Sequence, residues 1–165
     1  MRQTTMVAIA ALLLAHAGSP VPAQDKTAGS YEQDGKHFTA DDVPTYAVAD
    51  DGTVDWYTFS GFRRYHAECH VCHGPDGQGS SYAPALAKSA LDMDYYEFVD
   101  VVVNGRVNGN SVMPSFGTNL NVMCYLDDIY IYLTAVGSEA IPRGRPQKKA
   151  EKPDAFSEAE DACMG

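Results

Sequence analysis

The chain has 165 residues, with 12 Lys and Arg against 22 Asp and Glu, so its formal net charge is −10. That length suits one domain with extensions, and 45% hydrophobic with 21% charged residues excludes wholesale disorder. The acidic balance argues against a nucleic-acid partner, because neutralising phosphates needs a basic surface.

Residues 1–23 read as a secretory signal. Arg2 supplies a positive start, residues 7–15 are apolar, and Val21, Pro22 and Ala23 offer a small-residue cleavage site. A cut after Ala17 is an alternative, and an uncleaved N-terminal anchor is another. The apolar stretch is far shorter than the roughly 20 residues a spanning helix needs, and no second run of membrane length follows. The mature protein is therefore expected to be exported without a membrane span, in a bacterium to the periplasm.

Residues 24–40 are polar and show no apolar period, so a mobile arm is expected there. Residues 46–56 hold two short β-prone pieces around Asp51-Gly52, which predicts a small hairpin. From Asp55, a capping residue, the pattern turns helical, with Gly61, Phe62, Tyr65 and Cys69 on one face. Residues 74–79 (GPDGQG) are loop. Residues 92–103 predict a helix with Tyr95, Phe98, Val99, Val102 and Val103 as its stripe, ended by Asn104-Gly105. Residues 108–121 read as a Gly/Asn/Pro-rich loop. A last core helix is expected over 121–136, with Tyr125, Ile129, Tyr132, Leu133 and Val136 on one face. Beyond Gly137 the chain is polar, and a short helix is expected after Pro153. The resulting division is a signal at 1–23, an arm and hairpin at 24–54, a core domain at 55–136 and a C-terminal extension at 137–165.

The chemistry lies in Cys69-His70-Val71-Cys72-His73. Two thiols three positions apart can reach both vinyl groups of a haem, and a His directly after the second Cys can ligate the iron. Thioredoxin-like chemistry would need a βαβ context, which is missing. A zinc site would need a second pair of ligands; His66 and His70 are near, but no matching half follows. A second axial ligand is expected from Met113, in Val112-Met113-Pro114, because a thioether favours ferrous iron and Pro114 stiffens the backbone that presents it. The competing reading is that Met113 only packs in the core. Met93 and Met123 are rivals, but neither precedes a proline.

The residues Gly61, Tyr65, Cys69 to Gly74, Tyr82 to Leu86, Met113-Pro114 and Ile129, Tyr132 and Leu133 resemble a class I cytochrome c. The resemblance implies a mostly α fold, with helices wrapped around one covalently attached haem c. It implies that Gly61 lets the first helix cross the last against Tyr132. Pro84 would accept a hydrogen bond from His73 through its carbonyl, and Leu86 would line the haem crevice. Val54 to Tyr57, Gly61 to Tyr65, Cys72 to Gly77, Gly79 to Pro84, Asn121 to Tyr125 and Gly144 to Pro146 are similar to the narrower group of methanol-metabolism cytochromes, close to the cytochrome c-L type. That similarity implies a monomeric one-electron carrier rather than an enzyme. Its donor would be a quinoprotein (PQQ) alcohol dehydrogenase, its acceptor a downstream cytochrome or oxidase. The alternative is a haem enzyme or gas sensor with an open or labile sixth iron position.

Cys124 and Cys163 remain outside the motif. In an oxidising compartment a leftover pair suggests a disulfide tethering the C-terminal tail, with two free thiols as the alternative; the methanol-related group also has four cysteines. Residues 55–136 carry nine acids against four bases, so a Lys-rich partner and salt-sensitive association are expected. The five bases at 143–152 are expected to neutralise acidic surface nearby.

Overall fold

The computed structural model describes residues 28–165. The signal expected at 1–23 and the first residues of the arm lie outside that range.

The arm is ordered where it is described, which corrects the expectation of mobility. Strands β1 (Tyr31–Gln33) and β2 (Lys36–Phe38) form a hairpin, and β3 (Pro44–Thr45) adds to β2 in an antiparallel sheet. The turn is Asp34-Gly35, with φ of 55° and 78°; a two-residue turn with both φ positive matches the twist of paired strands. The hairpin is held from outside: the Tyr57 hydroxyl donates to the Asp34 carbonyl at 2.9 Å, and Lys36 pairs with Asp127 at 2.7 Å. The hairpin expected at 46–56 is present in minimal form, with Val48 bridged to Val54, the Ala49 N–H donating to the Thr53 carbonyl at 2.9 Å and the Asp55 N–H to the Ala47 carbonyl at 3.0 Å. Val54 also pairs with the C-terminal extension, accepting from the Ala150 N–H at 2.8 Å and donating to the Lys148 carbonyl.

Helix α1 (Trp56–Glu68) starts where expected, with the Asp55 carboxylate accepting from the Thr58 N–H. A one-turn helix α2 (His70–His73) and a 3₁₀ turn at Pro75–Gly77 follow. A helix not predicted, α3 (Leu86–Asp92), comes next and ends where Met93 becomes extended. The helix predicted over 92–103 is present as α4 (Tyr95–Asn104), starting later than expected with Asp94 as its cap. The loop expected over 108–121 contains a second hairpin, β4 (Arg106–Asn108) with β5 (Ser111–Met113).

The last core helix is divided, into α5 (Leu120–Met123) and α6 (Leu126–Gly137), because Tyr125 leaves helical geometry at φ −132°, ψ 22°. Nor does α6 carry a single apolar stripe: Leu126 and every residue from Asp128 to Val136 are buried, as in a helix surrounded by protein. Helices α1 and α3 pack against it. Helix α7 (Asp154–Met164) follows Pro153 as expected, and the Cys124–Cys163 disulfide ties it to the junction of α5 and α6. Phe156 of α7 is buried against Trp56, Tyr57 and Tyr125. The basic stretch before α7 meets carboxylates as expected, with Arg143 on Asp76, Lys148 on Asp51 and Lys152 on Glu160.

Candidate functional site

Helix α1 ends at Cys69, whose N–H still donates to the Tyr65 carbonyl at 2.9 Å. The Cys69 carbonyl then accepts from the N–H groups of Cys72 at 3.3 Å and His73 at 3.0 Å. One turn of backbone therefore fixes both cysteines and the histidine relative to one another. Cys69 is half-buried and Cys72 is exposed. Burial, with the Glu68 carboxylate nearby, pushes the Cys69 thiol up to about 12. A thiol so protonated is a poor redox nucleophile.

His73 is buried at 7% exposure, and its Nδ1 lies 2.9 Å from the carbonyl oxygen of Pro84. A carbonyl can only accept, so Nδ1 is the donor, and the tautomer this selects has its lone pair on Nε2. A histidine so fixed is oriented for ligation. The loop between these residues closes on itself. Gly79 N–H donates to the His73 carbonyl at 2.7 Å, Tyr65 hydroxyl to the Gly74 carbonyl at 2.6 Å, and Ser80 hydroxyl to the Cys72 carbonyl at 2.5 Å. Gly74 has φ +73°, and a Cβ there would overlap the Gly79 carbonyl, so only glycine permits this closure.

Asp76 is the residue that sequence reasoning missed. It lies in the left-handed region at φ 55° and is 6% exposed. Its Oδ1 accepts from the Tyr132 hydroxyl at 3.0 Å and the Gly144 N–H at 3.1 Å, and its Oδ2 lies 3.4 Å from Arg143 Nε. His66 Nε2 stands 3.5 Å away. This one carboxylate joins the glycine loop to α1, α6 and the C-terminal extension. Burial and the Asp76 charge push the Tyr132 hydroxyl well above the ordinary tyrosine range, so it acts as a permanent donor. Pro75-Asp76-Gly77 signalled only a loop. No local feature announced that its carboxylate would be buried.

Met113 closes β5, half-buried, in register with Arg106. Cys69, Leu86 at the start of α3, and Met113 all pack against the same apolar core, as does Phe116. The fold thus brings His73 onto Pro84 and sets Leu86, Cys69 and Met113 on one cluster. A cleft of about 410 Å³ between α3, the end of α6 and residues 139–143 holds none of the six candidate residues.

The donors suit haem c. Two thiols stand one turn apart, a histidine keeps Nε2 available, and a thioether lies on the same core. Among the described residues no group of three or more His, Cys, Asp or Glu could hold a metal ion, which leaves the zinc reading without a donor set. Iron in a porphyrin needs only axial ligands from the protein.

The family model described as cytochrome c oxidase, cbb3-type, subunit III matches residues 59–133. Cytochrome c-553I of Paracoccus denitrificans is 59% identical over 136 residues, covering 80% of this chain and 60% of that protein. The chain thus spans 60% of that relative's length. Cytochrome c-555 of Methylococcus capsulatus is 34% identical over 103 residues, covering 62% of this chain and 80% of that protein. The crystal structure of the c-type cytochrome XoxG from Methylobacterium extorquens AM1 superposes with a TM-score of 0.79 at 51% identity, covering 82% of this chain and 85% of that one.

Proposed function

Given that the chain belongs to the class I c-type cytochrome family, whose members bind haem c covalently, we propose that it is a periplasmic one-electron carrier. Its donor is a PQQ-dependent methanol or alcohol dehydrogenase, and its acceptor a downstream cytochrome or oxidase. Bound haem c supplies an iron that cycles between ferric and ferrous states. Cys69 and Cys72 would hold the porphyrin through thioethers, His73 and Met113 would ligate its iron, and Leu86 would line the crevice. The observation that carries the assignment is the Pro84 carbonyl 2.9 Å from His73 Nδ1, directly beside the two cysteines. The chain's contribution is to hold the His73 ring by its Nδ1, to offer a soft thioether at Met113, and to pack apolar side chains around them. Together these set the potential through ligand and dielectric.

Partner and compartment rest on the sequence resemblance. No helix of the described residues is long and apolar enough to cross a membrane. The acidic surface suits a Lys-rich docking site and association that weakens with salt.

The partner is tested by mixing the oxidised protein with purified PQQ-dependent methanol dehydrogenase and methanol, then following the reduced c-type absorption bands. One electron per haem is expected, at a rate that falls as salt rises. Full reduction by ascorbate with none from the dehydrogenase would remove the partner assignment and leave the carrier assignment standing.

A further inference from the structure

We propose that Gly105 and the last carbonyls of α4 form a clamp that positions Met113; the inference rests on the reading of Met113 as an iron ligand. A helix leaves its final C=O groups without intrahelical partners. In α4 the chain following Met113 supplies them. The Val102 carbonyl accepts from the Phe116 N–H at 3.0 Å. The Val103 carbonyl accepts from the Gly117 N–H at 3.1 Å and the Ser115 hydroxyl at 2.5 Å. The Val101 carbonyl accepts from Gly105 itself at 2.9 Å. Residues 115–117 are thus bolted to a helix whose Phe98 and Val102 are buried in the core.

Gly105 closes the other side. It sits at φ 75°, ψ 177°, a region essentially restricted to glycine. A Cβ there would stand 2.5 Å from the Met113 carbonyl oxygen, 2.9 Å from the Pro114 carbonyl carbon and 2.9 Å from the Ser115 nitrogen. The three backbone atoms it would strike belong to Met113 and the two residues after it. Gly105 also starts the hairpin in which Arg106 stands opposite Met113. The Met113 backbone is therefore held between a glycine that must stay bare and carbonyls that grip the next turn. Both elements act on the ligand through the backbone, which makes Gly105 a positioning residue.

The test compares Gly105→Ala, Ser115→Ala and Met113→Ala in the haem-loaded protein. The readouts are the weak far-red band of Met-ligated ferric haem, displacement of the sixth ligand by added imidazole, and helical circular dichroism. Gly105→Ala is expected to keep covalent haem and helix content while losing the far-red band, as Met113→Ala does. Ser115→Ala, which removes one hydroxyl only, is expected to keep the band but lose it at lower imidazole concentration than the parent. A far-red band unchanged in Gly105→Ala overturns the clamp and leaves Met113 as ligand. If Gly105→Ala fails to accumulate, Ser115→Ala decides alone, and parental imidazole resistance overturns the clamp. A band that survives Met113→Ala overturns the ligand assignment itself.

Discussion

Gly61 of α1 lies so close to Asp128 of α6 that a Cβ at position 61 would overlap the Asp128 carbonyl oxygen and come within 2.8 Å of the Tyr132 Cβ. The obstruction is backbone, which cannot rotate aside as a side-chain tip can. Gly61→Ala must separate the two helices whose contact supports the core, and overpacking of this kind costs about 3 kcal/mol, high in its usual range. Urea unfolding followed by circular dichroism should show the loss as a lower midpoint. An unchanged midpoint would mean that the crossing is looser than described.

Asp128 gives the same crossing a pH dependence. Its side chain is 3% exposed and one carboxyl oxygen has no hydrogen-bond partner. Burial pushes its pKa up to about 7 from 3.8, with Asp127 and Asp55 adding to the rise and Ser60 and Lys36 opposing it. The folded state therefore holds a proton that the unfolded chain releases. That contribution is fully present below 3.8, declines as pH rises, and is lost by about 7. Stability of the parent should fall across this window relative to Asp128→Asn, measured by denaturant midpoints at pH 4, 5, 6 and 7. Parallel curves for the two proteins would place a charged carboxylate at 128.

The Cys124–Cys163 bond closes a loop of 39 residues. Chain entropy assigns such a loop up to about 4 kcal/mol, less any native strain. The double variant Cys124→Ser, Cys163→Ser should lose about 2–4 kcal/mol of stability. It should also release α7 to proteolysis, because Phe156 is the buried anchor of that helix. Its absorption spectrum should not change, since the bond touches neither the cysteine motif nor Met113. A changed spectrum would tie the tail to the haem site.

What could be read in advance follows from how locally each feature is decided. The Asp55 cap and the helix after Pro153 depend on residues a few positions apart, and both stand as expected. Gly61 against Tyr132 and Pro84 against His73 came from family likeness, and both contacts are present. The break at Tyr125 was not visible, because it is fixed from far away by the disulfide and by the Tyr125 hydroxyl donating to Glu160 of α7. Strands β1 and β2 are only three residues each, with no apolar alternation, and draw their support from Tyr57 and Asp127. Asp76 owes its burial to Tyr132 and Gly144, 56 and 68 positions along the chain. Periodicity cannot see partners at that distance.

The most direct measurement is the absorption spectrum of the exported protein, oxidised and reduced, with and without carbon monoxide. A carrier ligated by His73 and Met113 gives a reduced c-type spectrum that carbon monoxide leaves unchanged, and a weak far-red band in the ferric state. Rapid carbon monoxide binding with no far-red band would show an open sixth position, contradicting Met113 as ligand and the carrier function with it.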